Sequence, residues 1–90
     1  MDEHDRWPDW WRWELELTPH IEKRMEERGF TEVELRAMLQ RAMGHRPNHV
    51  EGRHVIETTH DARASEVIVE PDAGDRLLVV ITAYKAEPVR

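Results

Sequence analysis

The segment Thr18-Pro19-His20-Ile21-Glu22-Lys23-Arg24-Met25-Glu26-Glu27-Arg28-Gly29 constrains this chain more than any other. Both ends of a helix are written into it. Thr18 can cap the start, Pro19 suits the first helical position, and Gly29 can adopt the left-handed conformation that stops a helix. At about 100° per residue, Ile21 and Met25 define an apolar stripe that must meet a core. Arg28 falls almost along that stripe, Arg24 and His20 on its flank, and Glu22 and Glu26 point outward. A helix needing only a soluble surface would keep its cations outside. This one aims two guanidinium groups and an imidazole at the margin of its own core.

The remaining elements arrange themselves around that helix. Residues 1–10 read as an acidic, Trp-containing tail, and 11–90 as one domain. From Trp11 to Leu17, apolar and charged residues alternate without a break, which predicts a half-buried strand. Thr31 and Glu34 form a capping box that opens a second helix, predicted to run to about Met43 and close at Gly44. Three strands follow, over 53–59, 65–70 and 76–84. The turn residues Pro71-Asp72-Ala73-Gly74-Asp75 join the last two as a hairpin. Leu77-Leu78-Val79-Val80-Ile81 is apolar on both faces, as a central strand should be. The expected fold is α+β in the order strand-helix-helix-strand-strand-strand, with both helices on one face of a twisted, antiparallel-rich sheet.

Composition sets the outer limits. Ninety residues make one domain, and 39% hydrophobic content leaves a small core, so a homodimer or obligate partner would suit it. The absence of cysteine removes disulfides and thiolate chemistry and fits a reducing cytoplasm. No apolar run is long enough for a membrane span, and the acidic N-terminus is unlike a signal peptide, so a cytoplasmic location without membrane contact is expected. The formal charge of -6 opposes nonspecific nucleic-acid binding while leaving room for a local basic site.

His20-x-x-x-Arg24-Met25-x-x-Arg28-Gly29, together with a final strand reading Ile81-Thr82-Ala83-Tyr84, resembles a small family of uncharacterised bacterial domains. Those domains are similar to RelE-type toxins within the barnase-like and RelE-like ribonuclease group. The resemblance spans about residues 15–84. It implies a RelE-like fold, metal-independent RNA cleavage with no cofactor, and a toxin held by an antitoxin.

RNA cleavage without a metal needs a base for the 2′-hydroxyl, an acid for the leaving oxygen, and cations for the charge on phosphorus. His20, Arg24 and Arg28 lie on successive turns of one helix, and Thr82 and Tyr84 share a face of the last strand with Arg76, Leu78 and Val80. If the helix crosses that face, His20, Arg24, Arg28, Thr82 and Tyr84 form the expected catalytic set. Arg46, Arg53, His54 and Arg76 are the expected RNA contacts, the first three from a His- and Arg-rich loop. The competing account is structural: inward arginines lay their stems on the core and pair with Glu57 or Glu70. His45, His49, His54 and His60 invite a metal, but Pro47 interrupts their spacing and no cysteine joins them, so none is expected. Trp11 and Trp13 belong to the core face of the first strand. Trp7 and Trp10 precede it and would, if exposed, form a sticky patch for a partner protein, or else pack over an open end of the sheet. The alternative function is therefore a non-enzymatic interaction module or a small homo-oligomer, which the acidic total favours.

Overall fold

A computed structural model describes residues 7–86. The acidic residues 1–6 of the expected tail, and residues 87–90, lie outside the described residues. A 3-10 turn over Asp9–Arg12 leads into strand β1 (Glu14–Leu17). Helices α1 (Pro19–Arg28) and α2 (Glu32–Gln40) follow, then β2 (Gly44–Pro47), β3 (His54–His60), β4 (Arg63–Asp72) and β5 (Leu77–Lys85). The fold is α+β with five strands, one more than the sequence predicts.

The strands form one mixed sheet in the order β1-β5-β4-β3-β2. β1 runs parallel to β5, and the other pairings are antiparallel. The short β1 arises because Asp9–Arg12 winds into a 3-10 turn, closed by the Trp13 amide donating to the Trp10 carbonyl. Trp11 and Trp13 thus pack on the core from a turn and its cap, not from a strand. Trp7 and Trp10 pack on it as well, so the domain begins before residue 11.

Both helices are built as their caps dictate. The Thr18 hydroxyl accepts the Ile21 amide at 3.2 Å, and Gly29 closes α1 at φ 71° with its amide donating to the Met25 carbonyl. The capping box at Thr31 and Glu34 is complete. α2 stops at Gln40 rather than Met43, with Arg41 as its C-cap, and Gly44 opens β2 instead. Ile21 and Met25 from α1, and Leu35, Met38 and Leu39 from α2, meet Ile56, Val67, Val69, Leu78 and Val80 of the sheet. Both helices therefore cover the same sheet face. Ile21 is fully buried, which is worth roughly 1.5–3 kcal/mol for a side chain of its size.

One irregularity re-aims the end of β5. Ile68 pairs with Thr82 while Val69 pairs with Val80, so Ile81 is an extra residue in the ladder. Leu78 and Val80 face the helices before the bulge, and Ala83 faces them after it. Thr82 and Tyr84, expected on the face of Leu78 and Val80, consequently lie on the opposite one. There Val55 and Ile68 are buried outside the main core.

Candidate functional site

At the C-terminal end of α1 lies an open cavity of about 580 Å³. Arg28 reaches it from the last helical turn, Phe30 from the interhelix link, and Met38 from α2. His60 and Asp61 contribute from the β3–β4 hairpin, with Ser65, Ala83, Tyr84 and Lys85 from the ends of β4 and β5. The His60 ring lies 5.7 Å from the Phe30 ring, centroid to centroid. His60 Nε2 is 3.5 Å from an Asp61 carboxylate oxygen and 3.8 Å from one of Glu34. A smaller cavity of about 280 Å³ adjoins the first, sharing His60 and Asp61 and adding Glu34, Arg41 and Thr59. His60 thus stands between two concavities.

The hairpin that carries His60 is strained. His60 pairs with Arg63, and the two residues between them, Asp61 and Ala62, both have positive φ, at 51° and 61°. That is the two-residue turn which glycine and asparagine favour, made here by Asp-Ala. Left-handed backbone in non-glycine residues concentrates at working sites.

Tyr84 has a double placement. It lines the cavity, yet its hydroxyl donates to Glu66 Oε1 at 2.8 Å on the uncovered sheet face. Glu66 Oε2 also receives the Arg46 guanidinium at 3.0 Å. Burial raises the Tyr84 pKa above its ordinary value, and the hydrogen bond and charge of Glu66 raise it further, against an opposing effect of Arg46. The phenol stays protonated through the neutral range.

Of the expected catalytic set, the fold brings Arg28 and Tyr84 to one cavity. His20, Arg24 and Thr82 are not among its lining residues. His20 is exposed at the second residue of α1, Arg24 is half-buried, and Thr82 lies beyond the bulge. The imidazole that shares this cavity with Arg28 is that of His60. Its sequence position offers one cue, since it ends a strand just before a tight turn, but its approach to α1 depends on the whole sheet.

The expected RNA contacts are scattered. Arg46 is tied to Glu66, and Arg53 donates to Glu70 at 3.1 Å. Arg76 is exposed in the left-handed region at φ 53°, where β5 begins. His54 packs under Trp10, with ring centroids 4.7 Å apart, and its Nδ1 is buried with no hydrogen-bond partner. Burial lowers the His54 pKa, and the neighbouring His45 lowers it further. Trp7 stacks on Trp11 at 4.4 Å and leans on His45 at 4.9 Å. Trp7 and Trp10, expected as a partner patch, therefore make much of their contact within the chain. Among the described residues no three His, Cys, Asp or Glu side chains are grouped to hold a metal. Nor is any described helix long and apolar enough to cross a membrane.

Comparison with known families covers nearly all of these elements, from the last residue of β1 to beyond β5. The chain belongs to the family of domains of unknown function DUF4258, matched over residues 17–89. No curated protein and no solved structure matches it. The DUF4258 segment contains Arg28, His60, Tyr84 and Lys85, and so the whole cavity. The tryptophan turn precedes the matched segment, while His45 and His54, which Trp7 and Trp10 contact, lie within it.

Proposed function

We propose that this DUF4258 domain binds RNA at the 580 Å³ cavity and cleaves it without a metal. The observation that supports this is local charge. In a chain of net charge -6, the cavity lining carries two cations, Arg28 and Lys85, against one carboxylate, Asp61, with the His60 imidazole beside Asp61 and Glu34. Such a pocket attracts one phosphate group while the rest of the surface repels a polyanion. Phe30 and Tyr84 offer aromatic surface for a base.

In the proposed reaction the neutral His60 imidazole takes the proton of a 2′-hydroxyl, whose oxygen attacks the adjacent phosphorus. Arg28 and Lys85 balance the charge that grows on the phosphoryl oxygens. The bond to the 5′-oxygen breaks, and that oxygen takes a proton from water in the open cavity. The products are a 2′,3′-cyclic phosphate and a 5′-hydroxyl end. Arg24, nearer the start of α1, belongs to this proposal as a cationic approach to the site, and His20 as a polar neighbour of that approach rather than as the base. RelE-like kinship would make the domain a toxin restrained by an antitoxin and acting inside the cytoplasm.

Incubating purified protein with a mixed-sequence RNA tests this. Wild type should generate cyclic-phosphate ends, and His60→Asn should slow cleavage by about 10²-fold or more, the usual worth of a positioned base. Arg28→Gln should weaken cleavage too, while Glu22→Gln on the outer face of α1 should not. Unchanged cleavage in a folded His60→Asn protein would refute the assignment. The alternative, a non-enzymatic interaction module, draws on the uncovered sheet face.

A further inference from the structure

β5 is the most apolar strand of the chain, and the helices cover only one side of it. On its other side the register produces a repeated pattern. Leu77 lies between Glu14 of β1 and Asp72 of β4, and in the next row Val79 lies between Glu16 and Glu70. Each row across the sheet thus reads acid, apolar, acid. Leu77 and Val79 are half-buried, and Glu14 and Glu16 are exposed. Among the described residues Arg53, held by Glu70 at 3.1 Å, is the cation paired with these four carboxylates. Asp72 also accepts the Gly74 and Asp75 amides, which leaves its charge in place.

We infer that this face docks a basic, amphipathic polypeptide segment, whose apolar side chains lie along Leu77 and Val79 and whose Lys or Arg residues reach the flanking carboxylates. Charge complementarity selects that occupant. A second copy of the chain laid on the same face would set acid against acid. An RNA strand would meet the same repulsion. An apolar strip edged by acids on both sides, of which Glu70 has Arg53 as its cation, gains from burial when the covering surface carries further cations. The inference is independent of the cavity, because Glu14, Glu16, Leu77 and Val79 are not among the cavity's lining residues.

The test uses the full chain labelled with nitrogen-15 and a short synthetic peptide alternating leucine and arginine. A control peptide carries glutamate in place of arginine. Amide shifts should concentrate at residues 14–17, 70–72 and 77–79, with no response to the acidic control. Glu14→Gln with Glu16→Gln should weaken binding roughly fivefold, as two exposed ion pairs are worth, and added salt should weaken it further. Val79→Lys should abolish it. Should Val79→Lys fail to fold, the exposed Glu14 and Glu16 variants still decide the matter. Shifts elsewhere on the molecule, equal binding of both peptides, indifference to the glutamate substitutions, or self-association through this face would each overturn the inference.

Discussion

The Tyr84 hydroxyl donates to Glu66 Oε1 at 2.8 Å, and the far oxygen of that carboxylate holds Arg46, so one glutamate on β4 ties neighbouring β5 to β2, which lies on the far side of β3. The bond fixes the tyrosine where the bulge at Ile81 has turned it. Tyr84 is the single tyrosine of the chain, so ultraviolet absorbance titrates it without interference. Its midpoint should lie above 10, raised by burial first and by Glu66 second. Glu66→Gln should bring it down, and Arg46→Gln should move it further up. Because the folded state holds this proton more tightly, stability should fall as pH rises above 10, where the unfolded chain loses it first. A midpoint at or below 10 would contradict the contact.

His54 gives a dependence of the opposite sense. Burial beneath Trp10, and secondarily the nearby His45, lower its pKa in the folded state from 6.5. Above 6.5 both states are neutral there and the group contributes nothing. As pH falls below 6.5 the unfolded chain takes up the proton first, and stability is lost. All four tryptophans lie between Trp7 and Trp13, so their fluorescence follows this corner of the fold alone. The urea midpoint should drop between pH 7 and pH 5 more steeply in wild type than in His54→Asn. Parallel slopes would show that His54 is not the group responsible.

Thr18 does two jobs with one hydroxyl: it accepts the Ile21 amide and donates to the Val80 carbonyl at 2.9 Å. Through it the start of α1 is fastened to β5, beside the β1–β5 pairing. Thr18→Ala should cost about 1–2 kcal/mol, a helix cap plus a tertiary hydrogen bond. Thr31→Ala, whose bonds stay within α2, should cost less, nearer 0.5–1 kcal/mol. Urea denaturation of both variants measures the difference, and equal losses would show that the bond to Val80 contributes nothing.

The helices were legible because their signals are local: Thr18, Pro19 and Gly29 for α1, Thr31 and Glu34 for α2. The strands were legible from polar–apolar alternation and, in β5, from a continuous apolar run. β2 escaped because Gly44-His45-Arg46-Pro47 has no apolar alternation. It pairs at an edge, where His45 reaches the Trp7 ring. The bulge at Ile81 escaped because Leu77–Ile81 is apolar on both faces, so no polar residue marks the register. Trp11 and Trp13 alternate with charges as a strand would, but Trp11 lies inside the 3-10 turn and Trp13 is its cap. At the site, Arg28 was visible as a cation on the inner stripe. His60 comes to line the same cavity only because β3 is placed by pairing with two neighbours, a relation of long range in sequence.

The hairpin at Asp61 and Ala62 permits a last prediction, linking stability to the cavities it borders. Both residues sit at positive φ in a loop of two, and Ala62 lines the smaller cavity while Asp61 lines both. A left-handed residue with a Cβ costs about 1–2 kcal/mol, whereas glycine adopts that conformation freely and gives back part of the gain as chain entropy. Ala62→Gly should therefore stabilise the protein by up to about 1 kcal/mol, which for a chain of this size raises Tm by a few degrees. Ala62→Val, with a branched side chain at φ 61°, should destabilise it by more than that. Thermal unfolding of the two variants against wild type reads the sign directly. If RNA cleavage depends on His60 being held between the two cavities, the glycine variant should unfold at higher temperature yet cleave more slowly, because the turn that positions the imidazole has become looser. Faster or unchanged cleavage in a stabilised Ala62→Gly protein would mean that the strain serves no purpose at the site.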